Sequence, residues 1–154
     1  MRRKDRQIST EEALQVLDRC SFVTLATMNP DGTPYCIPIS VARDRDVLYL
    51  HCAHDGHKAD NLRAQPRVCI SCADEVSVVE ERITMAYSST VVFGTALEVT
   101  DNEEKSRALR LLCERFLTNL NGDVTDKIQA GLAKTAVWKV SVEDITGKSN
   151  RRKA

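Results

Sequence analysis

The segment from 51 to 61 reads His51-Cys52-Ala53-His54-Asp55-Gly56-His57-Lys58-Ala59-Asp60-Asn61. It follows the apolar run 47–50, which predicts a strand, and it leads into 59–64, which predicts a short helix. A helix N-terminus presents unpaired backbone N–H groups and the positive end of a dipole, so it favours an anion. Gly56 lets the backbone approach a ligand closely, and Lys58 adds a full positive charge. We therefore interpret the segment as a phosphate clamp for a nucleotide-like cofactor.

The length of the chain, 154 residues, suits a single domain that closes a core without disulfide or metal staples. Lysine plus arginine balance aspartate plus glutamate at 22 each, so no global field steers the protein toward nucleic acid or an anionic membrane. Neither a signal peptide nor a run of membrane-spanning length is recognisable, which favours a cytoplasmic location. In that reducing compartment the six cysteines are interpreted as small buried hydrophobes.

The chain before the clamp is typical of a capped helix followed by a β-hairpin. Ser9 is the predicted N-cap, and Glu12 is placed to reach back and complete a capping box. The turn 29–32 contains an Asp-Gly pair and separates two predicted strands, 22–28 and 34–41. The segment therefore predicts a helix that leads into an antiparallel strand pair.

The residues of two predicted strands near the clamp indicate how each strand lies in the sheet. Pro38 cannot donate to a neighbouring strand, so it marks an edge strand, a bulge, or a place where a ligand replaces the neighbour. In the strand 47–52, alternation separates two sets of side chains, namely Val47, Tyr49 and His51 on one face and Leu48, Leu50 and Cys52 on the other.

The rest of the chain predicts further strands and two helices. The strands are 67–72, 90–99 with Gly94 as a possible bend, and 136–142; the helices begin near Thr100 and Thr125; and the acidic stretch 74–81 indicates a loop or irregular arm. Six short strands with flanking helices predict a mainly β (α+β) protein built on a small barrel. We expect one domain over 1–154 whose segments 1–8 and 148–154 are mobile tails.

A set of motifs follows the same order as in a known family. The set comprises Thr24-Leu25-Ala26-Thr27, Asn29-Pro30-Asp31-Gly32, Pro34-x-x-x-Pro38, Leu48-Tyr49-x-His51, Gly56-His57-Lys58-x-x-Asn61-Leu62, Pro66-Arg67-Val68 and Val91-Val92-Phe93-Gly94. It resembles the pyridoxamine-phosphate-oxidase-like FMN-binding split barrels. The run 51–58, the basic start 1–7 and the ending 144–148 are most similar to their nitroimidazole-resistance (Nim-type) branch.

The resemblance implies a six-stranded split β-barrel that pairs as a homodimer and holds FMN, with FAD as the alternative, in clefts between the subunits. It implies cofactor contacts at Pro38, Ile39, His51, Cys52, Gly56, His57, Lys58, Asn61 and Ser89. In this scheme Pro38 and Ile39 offer backbone groups to the isoalloxazine ring, and residues 56–58 hold the phosphate. Ser89 reaches the flavin from the partner subunit.

One position departs from the oxidases in the family. His57 replaces an arginine that pairs bidentately with phosphate, so the charge at this corner depends on pH near neutrality. The arginine-rich C-terminal substrate segment of the oxidases is also missing, and Lys148 does not substitute for it. The resemblance therefore favours an oxidoreductase that reduces a small oxidised substrate, such as a nitro-aromatic, over oxidation of a phosphorylated pyridoxine.

The sequence is also compatible with two other interpretations. The chain could be a flavin- or heme-binding split-barrel protein without turnover. Alternatively, His51, His54 and His57 with Cys52 could bind zinc, although that site gives no reason for Lys58. Cys69 and Cys72 are three residues apart on a strand, so they point to opposite faces, and core packing is preferred to a metal or redox role. No residue is assigned as a catalytic acid, base or nucleophile, and no metal ligand is assigned.

Overall fold

The structure is a computed structural model and describes residues 2–117 and 123–151. Within these residues the strands are Gln7–Ile8 (β1), Val23–Met28 (β2), Pro34–Ile39 (β3), Ala42–Asp44 (β4), Val47–Cys52 (β5), Arg67–Val79 (β6), Thr84–Glu98 (β7) and Ala136–Ser149 (β8). The α-helices are Thr10–Arg19 (α1), His57–Ala64 (α2), Asn102–Phe116 (α3) and Thr125–Gly131 (α4).

The strands form one antiparallel sheet in the order β3-β2-β6-β7-β8-β5-β4, and β1 pairs with β8. Its two end strands, β3 and β4, are joined by residues 40–41 alone, so the sheet must curl round until its edges meet. The result is a split barrel whose seam runs between these edges. The six longer strands are the six that the sequence predicts, and the predicted mainly β split barrel with flanking helices is confirmed.

The barrel interior is filled from the strands and sealed by helices at its ends. Leu17 from α1 and Ala59 and Leu62 from α2 belong to the same buried cluster as the inward-facing strand residues. In β5 the predicted alternation is confirmed: Leu48 and Leu50 are fully buried inside the barrel, whereas Tyr49 packs outside it beneath α3. Because β5 presents apolar residues on both faces, it lies between the barrel core and a covering helix.

The local signals at the start of the chain are confirmed. The amide of Glu12 donates to Ser9 Oγ at 3.2 Å, and the amide of Ser9 donates to the Glu12 carboxylate at 2.8 Å, which completes the capping box. β2 and β3 form the predicted hairpin, in register from Val23 opposite Ile39 to Met28 opposite Pro34. β3 is an edge strand, as Pro38 indicates.

The prediction of a loop or irregular arm over 74–81 is wrong. β6 continues to Val79 and turns through a 3₁₀ segment into β7, so the acidic stretch is half of a long hairpin. The pairing shifts between Asp74 and Ser77, where Glu75 takes a positive φ of 54°. Cross-strand backbone hydrogen bonds offset the low strand propensity of the acidic residues, and a local sequence pattern does not contain them.

The end of the chain also differs from expectation. β8 does not stop near residue 142 but continues to Ser149, and β1 pairs Gln7 with Lys148 and Ile8 with Gly147. Parts of both expected mobile tails, 1–8 and 148–154, thus lie in the sheet, because each supplies the hydrogen-bonding partner of the other. Met1 and residues 152–154 lie outside the described residues.

Gly94 marks an irregularity in β7, as its position in the sequence suggests. The register between β7 and β8 shifts between Phe93 and Gly94, and a Cβ atom at Gly94 would collide with the carbonyl oxygen of Ser141.

In the part of the chain that the structure covers, the helices are too short or too polar to cross a membrane.

Candidate functional site

The clamp begins where α2 follows Gly56. Gly56 has φ 131° and ψ 161°, a backbone conformation that is essentially restricted to glycine. No side chain caps the helix, and a Cβ added at Gly56 would meet no atom within 4 Å. The backbone N–H groups of the first turn therefore have no capping side chain, and an anion can take that place.

Lys58 contributes the positive charge of this corner. It is half-buried, and it forms no ion pair with any carboxylate in the described ranges. Its charge acts on two neighbouring titratable groups, since it adds to the lowering of the His51 pKa and opposes the burial that raises the Cys52 pKa. An ammonium without an ion pair and an uncapped helix N-terminus both attract anions.

His57 is held by the β2–β3 hairpin. Its ring stacks on Tyr35 with 4.0 Å between centroids, and its Nε2 donates to Asn29 Oδ1 at 2.6 Å. The imidazole stays exposed to solvent. The hairpin turn therefore fixes the orientation of a side chain that the sequence assigned to the phosphate.

Asn61 has a different environment from the other predicted site residues. It is fully buried, and its amide nitrogen donates to Asn29 Oδ1 at 2.8 Å and to Thr27 Oγ1 at 3.1 Å. Its oxygen has no hydrogen-bond partner in the described part of the chain. These bonds attach α2 to β2, so the visible role of Asn61 is to position the clamp.

Cys52 and His51 point to opposite sides of β5. Cys52 packs against the barrel core, where burial raises the pKa of its thiol and the Lys58 charge opposes that shift. His51 points outward. The surrounding protein atoms partly desolvate its imidazole, which is the main cause of its lowered pKa, and the Lys58 charge adds to the effect. His51 is therefore neutral at neutral pH.

His51 lines a cavity of about 420 Å³ between the sheet and the helices α3 and α4. The walls are mainly apolar: Leu109, Leu112, Cys113, Phe116, Leu117, Val124, Ile128 and Gly131. Four polar residues, Ser40, His51, Lys127 and Thr135, complete the lining. A mainly apolar cavity with a few polar groups is typical of a site for a small molecule.

The remaining predicted residues divide into two groups. Pro38 is exposed on the free edge of β3, and Ile39 beside it packs against the core; the next residue, Ser40, already lines the cavity. Ser89 lies at the other end of the sheet. His51 pairs with Val137 and Ser89 with Lys148, eleven residues farther along β8, or about 35 Å at ~3.3 Å per residue. Within one chain, Ser89 does not join the clamp.

The three histidines do not converge. His51 lines the cavity, His57 bonds to the hairpin turn, and His54 Nδ1 lies 3.8 Å from the Glu98 carboxylate. Over residues 2–117 and 123–151, no three His, Cys, Asp or Glu side chains form a group suited to a metal ion.

An apolar row crosses the outer face of four neighbouring strands. Cys36 of β3 lies opposite Ala26 of β2, Ala26 opposite Cys69 of β6, and Cys69 opposite Phe93 of β7. Phe93 is 43% exposed, and Cys36 is exposed as well, so the expectation that Cys36 is a buried hydrophobe is wrong. Cys36 points outward because strand alternation places its neighbours Tyr35 and Ile37 toward the inside. Such a row on a sheet face suggests a contact surface.

Sequence reasoning missed Asn29, Tyr35 as the partner of His57, and the whole α3–α4 wall of the cavity. The sequence of the turn 29–32 predicts a hairpin, but it does not indicate that the Asn29 side chain contacts α2. The apolar positions of α3 predict only that this helix packs against something. Which strand it covers, and what space remains beneath it, depend on the sheet order.

The comparisons with known proteins agree with the split-barrel fold. A family model described as pyridoxamine 5′-phosphate oxidase matches residues 9–149. A proposed 5-nitroimidazole antibiotic resistance protein from Bacteroides thetaiotaomicron has a similar structure, with a TM-score of 0.81 and 25% identity over 92% of this chain and 85% of that one.

Two further solved structures share the fold at lower identity. A FAD-binding protein from Mesorhizobium loti has a TM-score of 0.72 and 23% identity, covering 95% of this chain and 98% of that one. A FAD- and heme-binding protein from Mycobacterium smegmatis has a TM-score of 0.79 and 22% identity, covering 97% and 77%. No curated protein matches the sequence significantly. Because the family model spans almost the whole chain, the protein belongs to the pyridoxamine 5′-phosphate oxidase family of split barrels.

Proposed function

We propose that this chain is a homodimeric flavin-binding oxidoreductase that reduces a small, mainly apolar, oxidised substrate such as a nitro-aromatic. The observation that carries the proposal is the corner at 56–58, where an uncapped helix N-terminus, an open glycine and an unpaired lysine coincide. A phosphate monoester is the ligand that such a corner favours. The names of the similar FAD-binding structures supply independent support.

The residues near the corner suit a flavin. The backbone N–H groups of α2 and Lys58 would hold the phosphate, while His57, oriented by Asn29 and Tyr35, would contact it from the side. The free edge of β3 at Pro38 and Ile39 would offer backbone groups to the ring, with Cys52 and His51 at the end of β5. Bound here, the flavin would supply the electron transfer. FMN fits the proposal, with FAD as the alternative.

The cavity beneath α3 and α4 is the proposed substrate site. Its mainly apolar walls exclude water, and they match an aromatic ring better than a phosphorylated substrate. A neutral His51 brings one N–H donor and one acceptor nitrogen to the wall, and Lys127 brings a positive charge that attracts a nitro or carboxylate group. His51 is thus the residue placed to exchange a proton with the substrate.

The homodimer is proposed on the apolar row at Cys36, Ala26, Cys69 and Phe93. Burying this face against a second copy would remove Phe93 from water, and it would bring Ser89 of one chain toward the clamp of the other. Since Ser89 lies far from the clamp within one chain, its predicted contact with the flavin depends on this pairing.

The test begins with the visible spectrum of the purified protein and the identification of any released yellow chromophore. The protein stripped of flavin is then titrated with FMN and with FAD, beside the double variant His57→Ala, Lys58→Ala. Steady oxidation of a reduced nicotinamide in the presence of a nitro-aromatic acceptor distinguishes an enzyme from a carrier. A wild-type protein that ignores both flavins would contradict the proposal, as would unchanged flavin binding in the double variant.

A heme-binding carrier is the second candidate, because His51 presents a neutral imidazole to an apolar cavity and one similar structure is a FAD- and heme-binding protein. A neutral histidine is the usual protein ligand of heme iron. Titration with hemin would give a Soret band that disappears in His51→Ala if this candidate is correct.

A further inference from the structure

Two of the six cysteines meet away from the site described above. Cys20 ends α1 and is 7% exposed, and Cys72 packs against the barrel core from β6. Each thiol changes the pKa of the other, as neighbouring sulfurs do. Both also line a surface cavity of about 350 Å³ at the end of α1. The pair is therefore close together and open on one side to a small oxidant.

The surroundings make the two sulfurs unequal. Burial is the largest influence and raises the pKa of both thiols, but their mutual hydrogen bond lowers the pKa of Cys20 and raises that of Cys72. The guanidinium of Arg115 favours the thiolate of either residue, and the nearby Asp74 opposes it. This mutual effect of the two thiols favours the thiolate of Cys20 over that of Cys72.

We propose that Cys20 and Cys72, which line the same cavity at the end of α1, form a redox pair that closes into an intramolecular disulfide when the protein meets a peroxide. The Cys20 thiolate attacks hydrogen peroxide, which leaves a sulfenic acid on Cys20 and releases hydroxide. The Cys72 thiol then attacks the sulfenic sulfur, forms the S–S bond and releases water. In total, two thiols lose two hydrogen atoms and one peroxide becomes two waters.

The bond would link the end of α1 to β6 at a point that also touches α3. Arg115 of α3 donates to the carbonyl oxygens of Leu17 and Cys20, each at 2.8 Å. The residues after Arg115, Phe116 and Leu117, line the proposed substrate cavity. The redox pair thus lies behind the cavity wall, yet it does not depend on what the cavity binds.

The test is disulfide mapping of the full-length protein after graded hydrogen peroxide. Trypsin leaves Cys36 in the same peptide as Cys20 (20–43) and Cys69 in the same peptide as Cys72 (68–82). The mapping therefore uses the background Cys36→Ser, Cys69→Ser, in which peptides 20–43 and 68–82 can join only through Cys20 and Cys72. We expect the joined pair to appear with peroxide, to vanish with dithiothreitol, and to form faster as the pH rises, because the thiolate attacks.

The matched control adds Cys72→Ala to this background, which should abolish the joined peptides. Disulfide mapping of the wild type by fragmentation spectra covers the case in which a variant folds poorly. Formation of the disulfide should also raise the midpoint temperature of thermal unfolding of the wild type, and reduction should reverse this rise. The proposal is overturned if peroxide takes Cys20 to a sulfinic acid without linkage, or if both thiols still react with a maleimide after unfolding in peroxide-treated protein.

Discussion

At the scale of single residues, three features of Lys58 set it apart: its position, its lack of an ion pair and its effect on two neighbouring pKa values. It follows the glycine that opens α2, it makes no ion pair within the described residues, and its charge reaches His51 on one side of β5 and Cys52 on the other. A side chain in this position can attract the cofactor phosphate and tune the neighbouring titratable groups at the same time.

Replacing Lys58 with alanine is expected to weaken flavin binding. Charge-assisted hydrogen bonds are worth about 1.5–3 kcal/mol, so affinity should fall roughly 10- to 100-fold. Quenching of flavin fluorescence during titration measures the change. Lys134→Ala is the matched control, because Lys134 is an exposed lysine outside the site. Equal affinities of the two variants would contradict the phosphate role of Lys58.

The pKa of His51 is expected to lie below its ordinary value of 6.5 and to rise in Lys58→Ala, because one of its two causes is removed. The folded state then binds the proton more weakly than the unfolded state. His51 therefore contributes stability that is present above pH 6.5 and is lost as the pH falls through that value toward its folded pKa. An NMR titration of the imidazole measures the His51 pKa in the wild type and in Lys58→Ala. A wild-type pKa at or above 6.5 would refute this account.

At the scale of elements, the helices are joined to the barrel at a few specific points. α2 depends on the backbone of Gly56 to turn out of β5 and on Asn61 to stay attached to β2. α1 depends on α3, whose Arg115 satisfies two carbonyl groups in its last turn. Each attachment is formed by residues distant in sequence, except the one at Gly56.

Gly56→Ala should destabilise the fold by about 1–3 kcal/mol, because a φ of 131° is strained for any residue with a Cβ. The comparison is Gly131→Ala at the end of α4, where the φ is negative and the added Cβ would meet its nearest atom, Thr135 Oγ1, at 3.8 Å. That change should be neutral or stabilising. Urea unfolding measures both, and a neutral Gly56→Ala would show that the turn adopts another conformation.

Arg115→Met should cost about 1.5–3 kcal/mol of stability, since it leaves two carbonyl acceptors at the end of α1 without their charged donor. Burial already lowers the pKa of this guanidinium, which shows how far it is withdrawn from water. Arg67→Met is the control, because Arg67 and its carboxylate partner Glu143 are both largely exposed. Comparable unfolding free energies for the two variants would mean that α1 does not need this contact.

At the scale of the whole molecule, the apolar row on the outer face of β3, β2, β6 and β7 ends at the exposed Phe93, and no element among the described residues covers that side chain. The inner face of the same strands is filled, and α1 and α2 contribute to that core. A single chain thus satisfies its own core but leaves the face around Phe93 in water. The predicted pairing of two chains would complete the site as well as cover this face.

Phe93→Asp should convert the proposed dimer to a monomer and weaken flavin retention together, because the charge would be buried in the pairing surface and Ser89 would lose its position. Sedimentation velocity and absorbance of the purified protein read the two effects. Ala130→Asp, at an exposed position on α4, is the control and should leave both unchanged. A wild type that sediments as a monomer would remove the basis of this prediction.

The sequence by itself determined the presence of the six longer strands, the capping box and the hairpin at 29–32, because alternation, caps and turn residues act over a few neighbours. It left Pro38 with three alternatives, of which the edge strand is the one observed. It also predicted that the residues of the proposed clamp lie at a strand end and a helix start, since these signals fall within one short segment.

Only the tertiary structure decided the rest. The chain ends became strands because their hydrogen-bond partners lie far away in sequence. The acidic stretch became one strand of a hairpin because it pairs with the start of β7, and its own sequence pattern does not contain that pairing. His51 was separated from Cys52 by the pleat, as alternation required, but the cavity that His51 faces exists only because α3 and α4 fold back over β5. Local preference reaches a few residues, whereas a cavity is defined by every element that surrounds it.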